Sequence, residues 1–377
     1  MHSLDSFRNC QPWHQWLILY LLSLPGIGRR SVIAMLVEIL NNQIKPDAIW
    51  EWGSAQKSFL ILFKNIDKLP KISEIEQFYI STLREAKKSN ASVIIMGSEE
   101  FPVQLYSCDD PPLVLYVQGD VRLLSKEMVA VVGSRKMTGY GALITKTITR
   151  QLVGDAFVIV SGCMYGVDEC AHREALSCRG KTVAVLGYGF EHAYPERMRS
   201  LRQEILLRGG AVVSEYAPAT EPRPGYFVER NRIIAGLSKA VVVTEAAQRS
   251  GSHSTAICAA ENGRAIFAVP GAITNPYSEG TKWLINQGAT LLTSGYEVAE
   301  VLGKIPQEEG LRTAPIQGID DGSLSAAIAR FVNEGPATVE QLAAATEVTL
   351  KEVLIAVAQM EIRGELVKDG ILWYLNQ

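Results

Sequence analysis

The stretch "VAVVGSRKMTGYG", Val129 to Gly141, decides how this chain is read. Four apolar residues run without a polar interruption into Gly133, Ser134 and Arg135. An unbroken valine-rich run predicts a strand buried on both faces, which belongs to a parallel sheet covered by helices. The turn that ends it carries chemistry of its own. Glycine lets another backbone approach, serine can donate a hydrogen bond, and arginine offers a planar fork that fits a phosphate.

Outward from this stretch the same texture repeats. "ASVIIMG", "LVLYVQG", "FVIVSG", "KTVAVLGYG", "GAVVSEY", "KAVVVTEA", "RAIFAVPG" and "ATLLTSG" are short apolar runs, each ending at glycine or next to a small polar residue, with helical stretches between them. Residues 91–301 therefore read as a Rossmann-like, doubly wound, mostly parallel α/β domain whose ligands collect at the carboxyl ends of the strands. Upstream, residues 1–90 read as a helical domain: "WHQWLILYLLSL", then "PGIG", then "RRSVIAMLVEIL". This is a SAM-like or helix-hairpin-helix pattern. The Gly26–Ile27–Gly28 turn leaves N–H groups free at a helix start, a geometry that can hold a DNA phosphate; a plain interhelical turn fits the same residues. Downstream, residues 302–322 mix Pro, Gly and charge without apolar period and read as a linker. Residues 323–377 then give three helical segments and two short strands about Asp369–Gly370, the pattern of a winged helix.

Composition narrows the function classes. The 377 residues are 47% hydrophobic and 20% charged, enough for two or three ordered domains. The net charge of −3 means that a polyanion has to be met by a local patch, because the overall field does not attract it. The cysteines, Cys10, Cys108, Cys163, Cys170, Cys178 and Cys258, form no C-x-x-C pair. With no leader and no apolar run of about 18 residues, a reduced cytoplasm and no membrane are expected. Cys163, Cys170, His172 and Cys178 match no common zinc spacing, so buried thiols and no metal are expected.

The strand ends carry the candidate site. The turn at Gly133 is not G-x-G-x-x-G, and no acidic residue about 20 positions later is placed for a ribose, so no dinucleotide cofactor is expected. Four more strand ends repeat its theme: Ser161–Gly162 with Gly166, Gly187–Tyr188–Gly189, Ser250–Gly251–Ser252, and Pro270–Gly271. Small residues at helix starts expose N–H donors, and several such seats on one rim imply a ligand with several phosphates. Each loop alone is also an ordinary strand-to-helix connection. Between Pro195 and Ala240 eight Lys or Arg, including Arg230, Arg232 and Lys239, face five Glu. Tyr188, Tyr194, Tyr216, Tyr226 and Phe227 are interleaved with them, and basic residues with aromatics favour unpaired bases over duplex grooves. Asp168, His172, Glu174 and Glu245 form no nucleophile, base and orienter set, and Asp168 stands where a helix cap is expected, so no catalytic residue is assigned.

With these residues laid out, the chain resembles the bacterial DNA-processing protein A family, also called Smf. The resemblance is carried by "FPVQLYSCDDPPLVLYVQGD", "VVGSRKMTGYG", "SGCMYGVDECAHREAL", "KTVAVLGYGFEHAYP", "ERNRIIAGLS", "SGSHSTAICAAENGRAIFAVPG" and "GTKWLINQGA", in that order and over nearly the whole length. It implies a cytoplasmic, non-catalytic protein that binds and protects single-stranded DNA, forms homodimers through its Rossmann-like domain, and loads RecA recombinase during natural transformation. It also implies that Gly133, Ser134 and Arg135 form a phosphate-binding signature and that Arg230, Asn231 and Arg232 form a second patch, with Asn231 fixing the loop. An arginine of that second patch can instead pair with Glu215 or Glu245 and brace the rim. The candidate DNA-binding set is Gly133, Ser134, Arg135, Ser161, Gly162, Gly166, Arg230, Asn231, Arg232, Lys239, Ser250, Gly251, Ser252 and Lys282. Met164, Met198, Val228 and Lys282 depart from the family's usual residues. The alternative is a nucleotide-binding phosphoribohydrolase-like enzyme of a related Rossmann-like fold; those enzymes carry PGGxGTxxE, where this chain has "TEAAQRSGSHSTA". The tail, with four Lys or Arg against seven Asp or Glu, lacks the charge of a major-groove reader, so protein contact or self-association is expected of it.

Overall fold

Successive residues of a strand point to opposite faces, so a run such as Met128–Val132 needs a core on each side. The computed structural model, which describes residues 7, 10–49, 70–248, 250–305, 323–334, 336–369 and 371–375, provides both. Ala130 and Val132 enter one hydrophobic cluster with Ile233, Ile234 and Ala256, while Val129 and Val131 enter another with Ile148, Leu152 and Ala171. All five residues of this strand are buried.

The bulk of the chain up to Pro306 forms one compact unit, and Gln307–Gln377 belongs to a second. In the first, helices α1 (Pro12–Ser23), α2 (Arg29–Asn41) and α3 (Ile72–Lys88) precede the sheet. The strands are β1 (Ser92–Ile95), β2 (Val114–Gly119), β3 (Met128–Val132), β4 (Val158–Ser161), β5 (Thr182–Leu186), β6 (Ala211–Ser214), β7 (Ala240–Val243), β8 (Ala265–Ala268) and β9 (Thr290–Leu291). Between them run α4 (Gly139–Gly154), α5 (Val167–Ser177), α6 (Met198–Leu207), α7 (Pro224–Leu237), α8 (Ser252–Glu261) and α9 (Glu279–Asn286), and α10 (Tyr296–Val301) follows β9. Each of the nine apolar runs in the sequence is one of these strands.

The spatial order is β1-β2-β6-β5-β4-β3-β7-β8-β9. From β6 through β9 every pairing is parallel, and β1 and β2 add an antiparallel edge. The winding runs one way from β3 to β6 and the other way from β7 to β9. The switch therefore falls between β3 and β7, and a crevice opens outside their carboxyl ends. The N-terminal helices are not a separate body: Trp13, Leu17, Leu36 and Ile75 share one core with Ile94, Leu115 and Val213 of the sheet. At the head of α2 Arg29 pairs with Asp110 at 2.5 Å. Residues 50–69 of the expected helical domain lie outside the described residues, as does most of the expected linker, 306–322.

The second unit contains α11 (Leu324–Glu334), β10 (Ala337–Thr338), α12 (Val339–Thr346), α13 (Leu350–Ile362), β11 (Leu366–Asp369) and β12 (Leu372–Leu375). Its sheet has the order β10-β12-β11, one short strand more than the hairpin in the sequence reading. Thr338 and Thr349 cap α12 and α13 through reciprocal capping boxes with Gln341 and Glu352. Ile328, Leu342, Val353, Val357, Met360 and Trp373 form its own core.

Candidate functional site

A cavity of about 450 Å³ opens at the switch point, lined by Gly133, Ser134, Arg135 and Lys136 after β3, Met164 and Asp168 after β4, Phe227, Val228, Arg230 and Asn231 of α7, Ala247 and Ser250–Ser252 after β7, and Tyr277. Its lip is built by local hydrogen bonding. The Ser134 N–H donates to the Glu245 carbonyl at 2.7 Å, and the Ser134 hydroxyl accepts the Lys136 N–H at 3.1 Å. That tight turn leaves Arg135 and Lys136 on the outside. Both are exposed, and neither side chain has a hydrogen bond or ion pair among the described residues. Gly166 closes the turn from the other side. Its φ of +77° is in the left-handed region, and a Cβ there would overlap the Ser134 carbonyl oxygen, so no other residue fits without moving the lip.

The floor is charged, with Arg230 buried and Asp168 half-buried. Arg230, 3% exposed, donates to the Gly162 carbonyl at 2.7 Å and to the Val185 carbonyl, which ties the ends of β4 and β5 together. Asp168 does not cap the helix as expected: the cap position is Gly166, without a side-chain cap, and Asp168, in the first turn of α5, accepts the Met164 N–H of the preceding loop at 3.3 Å and lies near the Arg230 charge. Burial pushes the Asp168 carboxyl up and the Arg230 guanidinium down, and each is opposed by the charge of the other. A Cβ on Gly162 would lie 2.6 Å from both the Arg230 and the Asp168 side chains, so this glycine makes room for the pair. Beneath it His172 is fully buried, bonded through Nδ1 to Thr182 Oγ1 at 2.6 Å, and burial with the nearby Arg230 charge lowers its pKa from 6.5 to about 3. A neutral imidazole so enclosed serves no substrate as a proton donor.

The third wall is the amino end of α8. Asn231 donates to Ser254 Oγ at 2.7 Å and to the Gly251 carbonyl at 3.3 Å, which fixes the Ser250–Ser254 turn as expected. Ser250 and Ser252 share a hydroxyl hydrogen bond at 2.8 Å. The first turn of α8 has no acidic residue, so its partial positive charge faces the cavity undiminished. In all, three cations and one carboxylate line the cavity.

Several residues singled out from sequence do other work. Arg232, 9% exposed, pairs with Glu215 and donates to the Asp110 carbonyl at 2.9 Å; it braces the rim and presents nothing to a ligand. Lys239 stands directly before β7, at the amino end of a strand whose carboxyl end forms the site, roughly 13 Å away along the strand. It drops out of the groove. Ser161 turns its hydroxyl inward to the Val131 carbonyl at 2.7 Å. Lys282, on α9, is half exposed and lies 3.9 Å from Glu279, outside the cavity lining. Gly187 and Gly189 admit the close approach of the 217–218 and 226–227 backbone instead of seating an anion. Of the aromatics, Tyr188 is 1% exposed and hydrogen-bonded to the Tyr194 carbonyl, and Tyr216 stacks on Tyr226 at 4.2 Å; Phe227 alone reaches the cavity, with Tyr194 against it at 5.3 Å. Glu174 is taken by Arg150 at 3.0 Å. Among the described residues no group of His, Cys, Asp or Glu could hold a metal ion. Lys136, Ala247, Thr255 and Tyr277 are among the lining residues that the sequence reading missed. Lys136 was recoverable, because it shares the turn that places Arg135.

The geometry agrees with comparison to known proteins. Residues 92–303 match the family model described as DNA recombination-mediator protein A. The chain is 33% identical over 285 residues to the DNA processing protein DprA of Bacillus subtilis, covering 72% of this chain and 96% of that protein. It is 44% identical over 222 residues to the Smf protein of Escherichia coli, covering 59% of each. Among solved structures it is similar to DNA processing protein A of Streptococcus pneumoniae, with 34% identity and a TM-score of 0.63 over 75% of this chain and 96% of that one. It is also similar to the Helicobacter pylori protein whose structure describes a single-stranded DNA binding mode, with 31% identity and a TM-score of 0.51 over 57% and 97%. The matched region contains the whole cavity lining, and on the strength of both sequence and fold the chain belongs to the DNA recombination-mediator protein A family.

Proposed function

We propose that this chain binds single-stranded DNA at the switch-point cavity and acts as a recombination mediator, protecting incoming DNA and delivering it to RecA recombinase during natural transformation. The observation that carries the reading is the pair Arg135 and Lys136, two exposed cations without a hydrogen bond or ion pair among the described residues, held on the lip of a cavity at the carboxyl ends of β3 and β7. The backbone N–H groups of α8 offer a second phosphate seat, and Phe227 gives an apolar face for a base. The binding mode described for the Helicobacter pylori relative supports the same reading. In it, the sheet-bearing unit also forms a homodimer, and the second unit is a winged helix used for protein contact. The working compartment is the cytoplasm; no described helix is long and apolar enough to cross a membrane.

The test is fluorescence anisotropy of a labelled oligothymidine with a matched duplex as competitor, alongside an assay for free base released from a nucleoside monophosphate. Preferential single-strand binding without base release is the expected result. Base release with no strand binding would replace the mediator by the phosphoribohydrolase-like alternative.

A further inference from the structure

One edge of the cavity continues outward as a ledge of rings. Tyr194, 46% exposed, packs on the cavity-lining Phe227 with ring centroids 5.3 Å apart. Three residues on, Arg197 lays its guanidinium over the ring of Tyr165, 4.9 Å from the ring centre. Tyr165, 38% exposed, directly follows the cavity-lining Met164, and Val228, next to Phe227 in the lining, is 59% exposed. Large rings are ordinarily spent on a core, and an exposed group of them marks a binding surface. This ledge is also held still. The Tyr188 hydroxyl donates to the Tyr194 carbonyl at 2.6 Å and accepts the Tyr194 N–H at 3.2 Å, and Glu169 anchors Arg197 at 2.7 Å. The carboxylates along the edge are taken, Glu169 by Arg173 and Arg197 and Glu196 by Arg199.

We propose that Tyr194 and Tyr165, the latter backed by Arg197, are stacking platforms for the bases that follow the one at the cavity, so that a bound single strand runs from the Arg135–Lys136 lip out over the turns after β4 and β5. The proposal rests on the single-strand reading of the cavity and extends it from one nucleotide to a run of them. A ring face accepts any base, which suits a strand of arbitrary sequence, whereas the bases of a duplex are already stacked and paired and offer no free face. Rings fixed before the strand arrives lose little freedom on binding it. Continuity with a lip that carries two exposed cations argues for bases of the same strand over an apolar peptide, which would leave those cations unanswered.

Anisotropy of the full chain with two labelled oligomers of equal length tests it. One is all thymidine; the other has abasic sites in place of every thymidine but one, which remains for the cavity. The comparison is made for the wild type, Tyr165→Leu/Tyr194→Leu and Tyr165→Phe/Tyr194→Phe. The wild type favours the all-thymidine oligomer, the preference falls on the order of tenfold or more in the leucine variant, and the phenylalanine variant, which keeps both rings, restores it. The slope of log K against log salt for the all-thymidine oligomer stays the same in all three proteins, because a stacking contact releases no counterion, and a fold defect would not single out bases from backbone in this way. A preference as large in the leucine variant as in the wild type overturns the proposal while leaving the cavity reading in place, and so does a phenylalanine variant no better than the leucine one. Failure of the wild type to bind either oligomer overturns the single-strand reading and this proposal with it.

Discussion

Arg135 and Arg230 line the same cavity, yet Arg135 stands exposed on the turn after β3 without a hydrogen bond or ion pair among the described residues, whereas Arg230 is 3% exposed inside α7 and commits its donors to main-chain carbonyls. The contrast teaches that a positive charge at a nucleic-acid site need not be a ligand for nucleic acid. A guanidinium that has already replaced its water by main-chain carbonyls and a side-chain amide oxygen has few donors left for a phosphate. Arg135 and Lys136, by contrast, lose only solvent when an anion arrives. The two segments divide the labour: α7 holds the carboxyl ends of the strands together, and the β3 turn offers charge on the frame so made.

The largest effect should come from breaking the floor. Arg230→Met leaves the Gly162 and Val185 carbonyls without their donor and takes the neighbouring positive charge from half-buried Asp168, and should destabilise the fold by about 2–4 kcal/mol in urea unfolding; adding Asp168→Asn should recover a small part of that loss. Unchanged stability in Arg230→Met would end the distinction between floor and lip.

Acid sharpens the same point. His172 has its folded pKa lowered to about 3 from 6.5, so the unfolded chain takes up this proton first as pH falls. The contribution to stability is complete above pH 6.5 and is lost progressively toward pH 3. Protonation would set a second buried cation beside Arg230. His172→Gln should remove from the acid limb of a stability–pH curve a slope approaching about 1.4 kcal/mol per pH unit. An acid limb identical in both proteins would mean that this face of the site is open to solvent.

On the lip the expectation reverses. Arg135→Ala should weaken oligothymidine binding by about 1–3 kcal/mol while stability stays within about 0.5 kcal/mol. A variant that melts early but binds normally would move Arg135 into the class of Arg230. The smallest effect belongs to Lys239→Ala: from the wrong end of β7, its removal should change single-strand affinity by no more than about 0.5 kcal/mol at moderate salt.

The strands were legible because burial on both faces imposes an unbroken apolar run, and each run closed on the residues that later formed a loop. Most of the lip was legible for the same reason, since Gly133–Arg135 directly follows one of these runs, although Lys136 in the same turn was passed over. What escaped was direction and depth. Lys239 precedes "AVVV", and that order alone puts it at the amino end of the strand, a signal present in the sequence and unused. Arg230 and Arg232 are two apart on a helix, which turns them to different sides, so both could not face one groove. The helix after Glu229 is buried all round, which is why charges inside it had to be paired. The bond from Arg230 to the Gly162 carbonyl joins residues 68 positions apart, and no local pattern encodes it.

The central claim is that the exposed cations of the β3 turn, and not the buried arginines of α7, hold the DNA backbone. The salt dependence of oligothymidine affinity, measured by anisotropy for the wild type and for Arg135→Ala/Lys136→Ala, tests it most directly. Loss of two phosphate contacts to a single strand should lower the slope of log K against log salt by roughly 1.4, with affinity falling in parallel. The same slope and the same affinity in both proteins would contradict the account and place the backbone contacts elsewhere on the molecule.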